Sequence, residues 1–101
     1  MAGMISLGGN DRWLVSGWLF YWVVGFLAVN VERQELAADI DHVRAGDSGL
    51  FELEVFGPEA DREMRELLRS RLVAAAEERF PPAMEGRETV LELLHELADL
   101  A

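Results

Sequence analysis

Two carboxylate–histidine pairs are the residues of this chain whose types and spacing could do chemistry. Asp39 and His42 are separated by two residues, and so are Glu92 and His95. On a helix, this spacing puts both side chains of a pair on one side, and Glu-x-x-His is the ligand spacing of di-iron helical bundles. A di-metal carboxylate enzyme is therefore one hypothesis for this chain.

The helices that would have to carry these pairs argue against a metal centre. The site would need two further glutamates, and the nearest candidates, Glu63 and Glu66, fall on the polar flank of their predicted helix. Glu92 suits a capping box that begins at Thr89, where its carboxylate would bind a backbone amide instead of a metal. We predict that the pairs lie on solvated helix faces, and we assign no metal-binding residue.

The sequence also lacks the residue patterns of other common kinds of catalytic site. The chain has no cysteine, which excludes a thiolate nucleophile and a Cys-based metal site. The segment Leu7–Asn10 contains two glycines but no P-loop lysine, and neither histidine has a serine partner placed for nucleophilic catalysis. We therefore predict that the protein is not an enzyme and that it has no catalytic or cofactor-binding residue.

Charge divides the chain into two unlike parts. Residues 1–31 carry one acid and one base, whereas residues 32–101 carry eighteen acids and eight arginines, so the net charge of −10 belongs to the second part. Such an acidic segment would be repelled by nucleic-acid phosphates and by anionic lipid headgroups. We predict no nucleic-acid partner, whereas a cationic or neutral protein partner is compatible with this charge.

Residues 13–31 form an uncharged run that fits a membrane-spanning helix. Its nineteen residues, WLVSGWLFYWVVGFLAVNV, would span about 28 Å as a helix, close to the ~30 Å hydrocarbon core of a bilayer. The acidic remainder of the chain is too small and too charged to be expected to enclose the run on every side. We therefore predict a single-pass membrane protein, with a weak preference for a cytoplasmic carboxyl-terminal tail.

The same run also supports an alternative. Trp18, Tyr21 and Trp22 lie near its middle, whereas membrane aromatics favour the two interfaces. Its valines and aromatics have high β-propensity, and Ser16-Gly17 could turn a pair of buried strands. The alternative fold is a soluble α+β protein in which residues 13–31 are buried strands.

Two sets of residues are candidates for binding a partner, with homo-oligomerisation as one form of partnership. Small and aromatic residues of the uncharged run could pack against a neighbouring helix, and arginines on one flank of the next long helix could grip a carboxylate or phosphate. The candidates are Gly17, Trp18, Tyr21, Trp22, Gly25, Arg62, Arg65 and Arg69. For the arginines, simple pairing with neighbouring acids, such as Asp61 with Arg65, is the competing explanation.

The acidic segment is predicted to be mostly helical. Apolar residues at helical spacing predict helices at 32–45, 58–80 and 90–100, and an alternating pattern predicts a strand at 50–56. Pro58 marks the start of the second of these helices, and Pro81-Pro82 mark its end. Residues 38–44 could instead form a strand that pairs with 50–56. Other partners for that strand would be a second copy or the sheet edge of another protein.

The predicted architecture is mainly α. A tail at 1–12 precedes the spanning helix at 13–31, and an acidic domain at 32–101 with one short strand follows. The leading functional hypothesis is a non-catalytic accessory or assembly subunit of a membrane protein complex. The alternative is a soluble acidic protein-binding module, such as an inhibitor or an antitoxin-like protein, with the aromatic run buried in a sheet or a dimer interface.

Overall fold

A small mixed sheet and several helices make up the part of the chain that the structure describes, residues 2–46 and 48–101 of a computed structural model. Two strands, two helices and a third strand follow one another in the amino-terminal half, and the carboxyl-terminal half is helical. The elements in chain order are β1 (Ala2–Ser6), β2 (Arg12–Ser16), α1 (Gly17–Asn30), α2 (Gln34–Ala45), β3 (Leu50–Glu52), a 3-10 turn (Leu53–Phe56), α3 (Pro58–Ser70), α4 (Leu72–Arg79) and α5 (Arg87–Leu100).

The sheet is built around β1, the strand nearest the amino terminus. Its order is β2-β1-β3, with β2 antiparallel and β3 parallel to β1. Gly8 and Gly9, both with positive φ, turn the β1–β2 hairpin, which Leu7 N closes on the Asp11 carbonyl at 3.0 Å. Residues 2–6 of the predicted tail are therefore the central strand, and they are the pairing partner of the predicted strand at 50–56.

The prediction of a membrane-spanning helix at 13–31 is wrong, because the run divides at Ser16-Gly17. Residues before this point alternate between the buried face and the exposed face of β2, and those after it form α1. At ~1.5 Å per residue, the 14 residues of α1 span about 21 Å. Among residues 2–46 and 48–101, no helix combines the length and the apolar character needed to cross a bilayer, and the predicted single-pass location is corrected with it.

The acidic half of the chain encloses α1, contrary to expectation. Fully buried apolar side chains of α2, α3 and α5 join the buried residues of α1 and the sheet in one core. The fully buried members from those three helices include Ile40, Met64, Leu68, Leu94 and Leu97. The fold class is therefore α+β, as in the alternative, although only residues 13–16 of the run form a strand.

Local details of the acidic segment differ from the predicted elements. Residues 38–44 are helical within α2, and only residues 50–52 of the predicted strand 50–56 are extended. The predicted helix at 58–80 breaks at Arg71 into α3 and α4. The last helix begins at Arg87, after Gly86 in the left-handed conformation, so Thr89 lies inside the helix and is not its cap.

One hydrogen bond ties the sheet to the last helix. The indole Nε1 of Trp13, on β2, donates to the Leu93 carbonyl of α5 at 2.8 Å. The Trp13 side chain is 3% exposed, so this bond satisfies a polar atom in a largely buried ring. It joins segments that are 80 residues apart in the chain.

We expect Gly3→Ala to destabilise the protein by about 1–3 kcal/mol, because of overpacking. A Cβ at Gly3 would lie 2.3 Å from Cβ and Cγ of Phe20, which seats α1 on the sheet. The matched control is Gly25→Ala, where the new Cβ would make only ordinary contacts with Arg44 and should stabilise α1 by about 0.5–1 kcal/mol. Urea denaturation measures both changes, and equal stabilities would contradict the packing of α1 on β1.

Candidate binding groove

One face of α1 stays at the surface and forms the floor of a groove. Because α1 is apolar on all sides, the face that the core does not cover is also apolar. Trp18 is 49% exposed and Val29 is 83% exposed, and Tyr21 and Trp22 are half-buried between them. The groove has a cavity volume of about 650 Å³.

Helices α2 and α4 form the two walls. Arg44 of α2 borders the floor on one side, and Ala75, Glu78 and Arg79 of α4 border it on the other. The guanidinium of Arg44 lies over Gly25, since a Cβ at that glycine would be 3.6 Å from Cζ of Arg44. The small residue at position 25 therefore leaves space for the arginine within the groove.

The aromatic rings of the floor are held by Phe80, the residue that follows α4. The ring centroid of Trp22 lies 5.0 Å from that of Phe80, and Trp18 meets Phe80 edge to face at 5.9 Å. Trp22 also stacks on Phe26 with centroids 6.1 Å apart. Such aromatic pairs add stability beyond their buried area and fix ring orientation, so the floor is a packed aromatic surface.

Arg87 places Phe80 from the next helix. Its Nε donates to the Phe80 carbonyl at 2.9 Å, and its Nη2 donates to the Glu77 carbonyl at 3.3 Å. The Glu77 carbonyl belongs to the last turn of α4, whose acceptors have no partner within the helix, and the Phe80 carbonyl directly follows that turn. Arg87 thus fixes the end of α4, which carries one wall of the groove.

The groove is rimmed by charges of both signs. Arg44 Nη1 lies 3.7 Å from Asp41 Oδ1, an exposed pair that contributes little to stability. Arg79 and Glu78 on the opposite wall form no ion pair with another described residue. Two guanidinium groups therefore face an apolar floor in a chain whose net charge is −10.

The two predicted binding sets lie in different places. The structure brings Trp18, Tyr21, Trp22 and Gly25 to the groove, with Gly17 half-buried at the start of the same helix. The three arginines lie on α3, and they have no place in the groove's lining. Whether either set binds a partner stays a prediction.

Two of the three arginines on α3 have structural partners. The expected pairing with acids is confirmed for Arg65, whose Nε lies 3.0 Å from Asp61 Oδ1, and its Nη2 also donates to the Leu7 carbonyl. Arg69 pairs with Glu66 at 3.4 Å and donates to the carbonyl of Ala101 at 2.8 Å. Arg62 is exposed and forms no ion pair with another described residue.

The carboxylate–histidine pairs lie on separate helices, α2 and α5. All four side chains are exposed. Over residues 2–46 and 48–101, no three His, Asp or Glu side chains converge as metal ligands would. The pairs therefore give no support to the di-metal hypothesis.

Several groove residues were not among the predicted candidates, and they include Arg44, Arg79 and Phe80. The sequence signal for Phe80 is its position directly before Pro81, where an aromatic residue ends a helix. The arginines carry no such signal, because their approach to α1 depends on how α2 and α4 pack. The chain matches no protein-family model, no curated protein and no solved structure.

Acrylamide quenching of tryptophan fluorescence tests the open floor. We expect Trp18→Phe to remove the most strongly quenched component, because Trp18 is the most exposed indole, and Trp13→Phe to raise the average quenching, because Trp13 is buried. Quenching that is unchanged by Trp18→Phe would show that the groove is covered.

Proposed function

We propose that this chain is a non-catalytic protein-binding domain whose groove receives an amphipathic helical segment of another protein. The observation that carries the proposal is the run of exposed and half-exposed apolar side chains from Trp18 to Val29, set between two helical walls. Exposed apolar patches of this kind mark interaction sites in folded proteins. The proposal corresponds to the alternative function predicted from the sequence, a protein-binding module. It differs in that aromatic residues of the run line a surface groove instead of a buried sheet or dimer interface.

The length of the floor suits a helix of about three turns. Trp18 and Val29 are eleven positions apart on α1, which corresponds to about 16 Å at ~1.5 Å per residue. A partner helix lying along α1 would place apolar anchors at i, i+4, i+7 and i+11 over this distance. Trp18 and Trp22 supply the large aromatic contact surface that is enriched at binding hot spots.

The charged rim suits a helix that carries carboxylates beside its apolar anchors. Arg79 has no ion-pair partner among the described residues, and Arg44 has only a distant one at 3.7 Å. A partner carboxylate could accept two parallel hydrogen bonds from either guanidinium. Asp41 and Glu78, beside the two arginines, would disfavour a uniformly acidic segment, so the occupant would be amphipathic and of mixed charge.

The first experiment identifies the protein segment that occupies the groove, by photo-crosslinking. A photo-reactive phenylalanine analogue is placed at position 18, position 29 or, as the control, position 55 in cells of the source organism. Val55 is 66% exposed but lies on the 3-10 turn, outside the groove. We expect protein adducts from positions 18 and 29 that map to one amphipathic helical segment, and none from position 55.

Binding of that segment as a synthetic peptide then tests the groove. Trp18→Ala and Val29→Glu should each weaken binding by roughly ten-fold or more, as expected for a hot-spot side chain and for a carboxylate in an apolar contact. Val55→Glu, the same change at a similarly exposed valine, should leave the affinity unchanged. Equal binding by all variants, or a small apolar molecule retained in the groove in native mass spectrometry, would contradict the proposal.

A further inference from the structure

The face of the sheet that points away from the helices carries a row of apolar residues. Register pairs Met4 of β1 with Leu14 of β2 on one side and with Leu50 of β3 on the other. Leu14 is 67% exposed, Leu50 is 36% exposed and Met4 is half-buried. Their neighbours Trp13, Ile5 and Phe51 point into the core, as alternation along a strand requires.

The next row on this face carries opposite charges at its two ends. Ser6 of β1 pairs with Arg12 of β2 and with Glu52 of β3. Neither Arg12 nor Glu52 forms an ion pair with another described residue. With strands ~4.8 Å apart, the two charged positions are about 10 Å from each other across the sheet.

These two rows are complementary to a second copy of themselves. A two-fold axis between two facing sheets, parallel to β1, would lay β2 of one copy over β3 of the other. Arg12 would then face the other copy's Glu52, and Leu14 would face its Leu50, while the two Met4 side chains would meet at the axis. Rotation about an axis perpendicular to the strands does not align the charges in this way.

We propose that this sheet face is a homodimer interface in which two copies pack face to face. The geometry is isologous, as most homodimer interfaces are, and it keeps the strands of the two sheets in the aligned orientation that twisted sheets prefer. This inference does not depend on the groove, which is formed by other residues. Charge complementarity between Arg12 and Glu52 selects a second copy as the occupant.

The face is small, so the dimer is expected to be weak. Three strands about 4.8 Å apart, the longest of five residues at ~3.3 Å per residue, present a face of roughly 10 Å by 17 Å. That area is well below the ~800 Å² per partner of a standard stable interface. Association should therefore fall in the micromolar range or weaker. Sedimentation velocity over a series of protein concentrations measures it with the full chain.

A charge exchange tests the proposed orientation. Arg12→Glu alone would place carboxylates opposite each other twice in the dimer, and Glu52→Arg alone would do the same with guanidinium groups. Each should weaken dimerisation by about ten-fold or more. The double variant R12E/E52R should regain the wild-type association, and a mixture of the two single variants should form heterodimers more tightly than either variant self-associates.

Matched controls separate this effect from net charge and from unfolding. Arg62→Glu and Glu59→Arg make the same charge changes at exposed positions of α3 and should leave association unchanged. Circular dichroism should show that all variants keep the wild-type helix content, because Arg12 is exposed and Glu52 is half-buried on the outer face.

Each remaining outcome overturns the proposal. A wild-type chain that is monomeric at every concentration excludes the dimer. A dimer that tolerates Glu52→Arg, as one formed by pairing the β2 edges would, excludes the face-to-face arrangement. A double variant that stays monomeric excludes the pairing of Arg12 with Glu52.

Discussion

The fold depends on the burial of an almost entirely apolar helix by a strongly acidic segment. Each large apolar side chain removed from water contributes on the order of 1.5–3 kcal/mol, and α1 buries seven residues. The acidic segment can supply the enclosure because its helices keep one apolar stripe each and direct their carboxylates outward. Composition averaged over residues 32–101 conceals these stripes, although they determine what the segment can cover.

Some element boundaries follow local signals in the sequence, although the capping box predicted at Thr89 lies inside α5. Pro58 begins α3, and Pro81 follows the end of α4 at Arg79, as proline preferences require. Gly46 follows α2, but its φ of −69° is not the left-handed conformation typical of a glycine cap. The role of the uncharged run could not be obtained in this way. Its length matches a bilayer whether or not it is continuous, and only the pairing of β2 with β1 shows that it divides at Ser16.

Long-range pairing accounts for most of what the sequence did not predict. β1 contains only five residues, and its membership in a sheet depends on partners at 12–16 and 50–52. The groove also depends on long-range packing: residues of its floor on α1 were binding candidates from their types, but its walls come from α2 and α4. The aromatics at the middle of the run, which argued against a spanning helix, are the residues that the fold leaves near the surface.

Shape distinguishes the two uncovered apolar surfaces. An isologous contact requires a surface to be complementary to itself, and a concave groove fails this condition because two grooves placed together enclose a void. A sheet face is close to flat, and here its register sets opposite charges symmetrically about β1. The groove therefore favours a convex segment from a different protein, while the sheet face favours a second copy of this chain. Because different residues form the two surfaces, both could be occupied in one assembly.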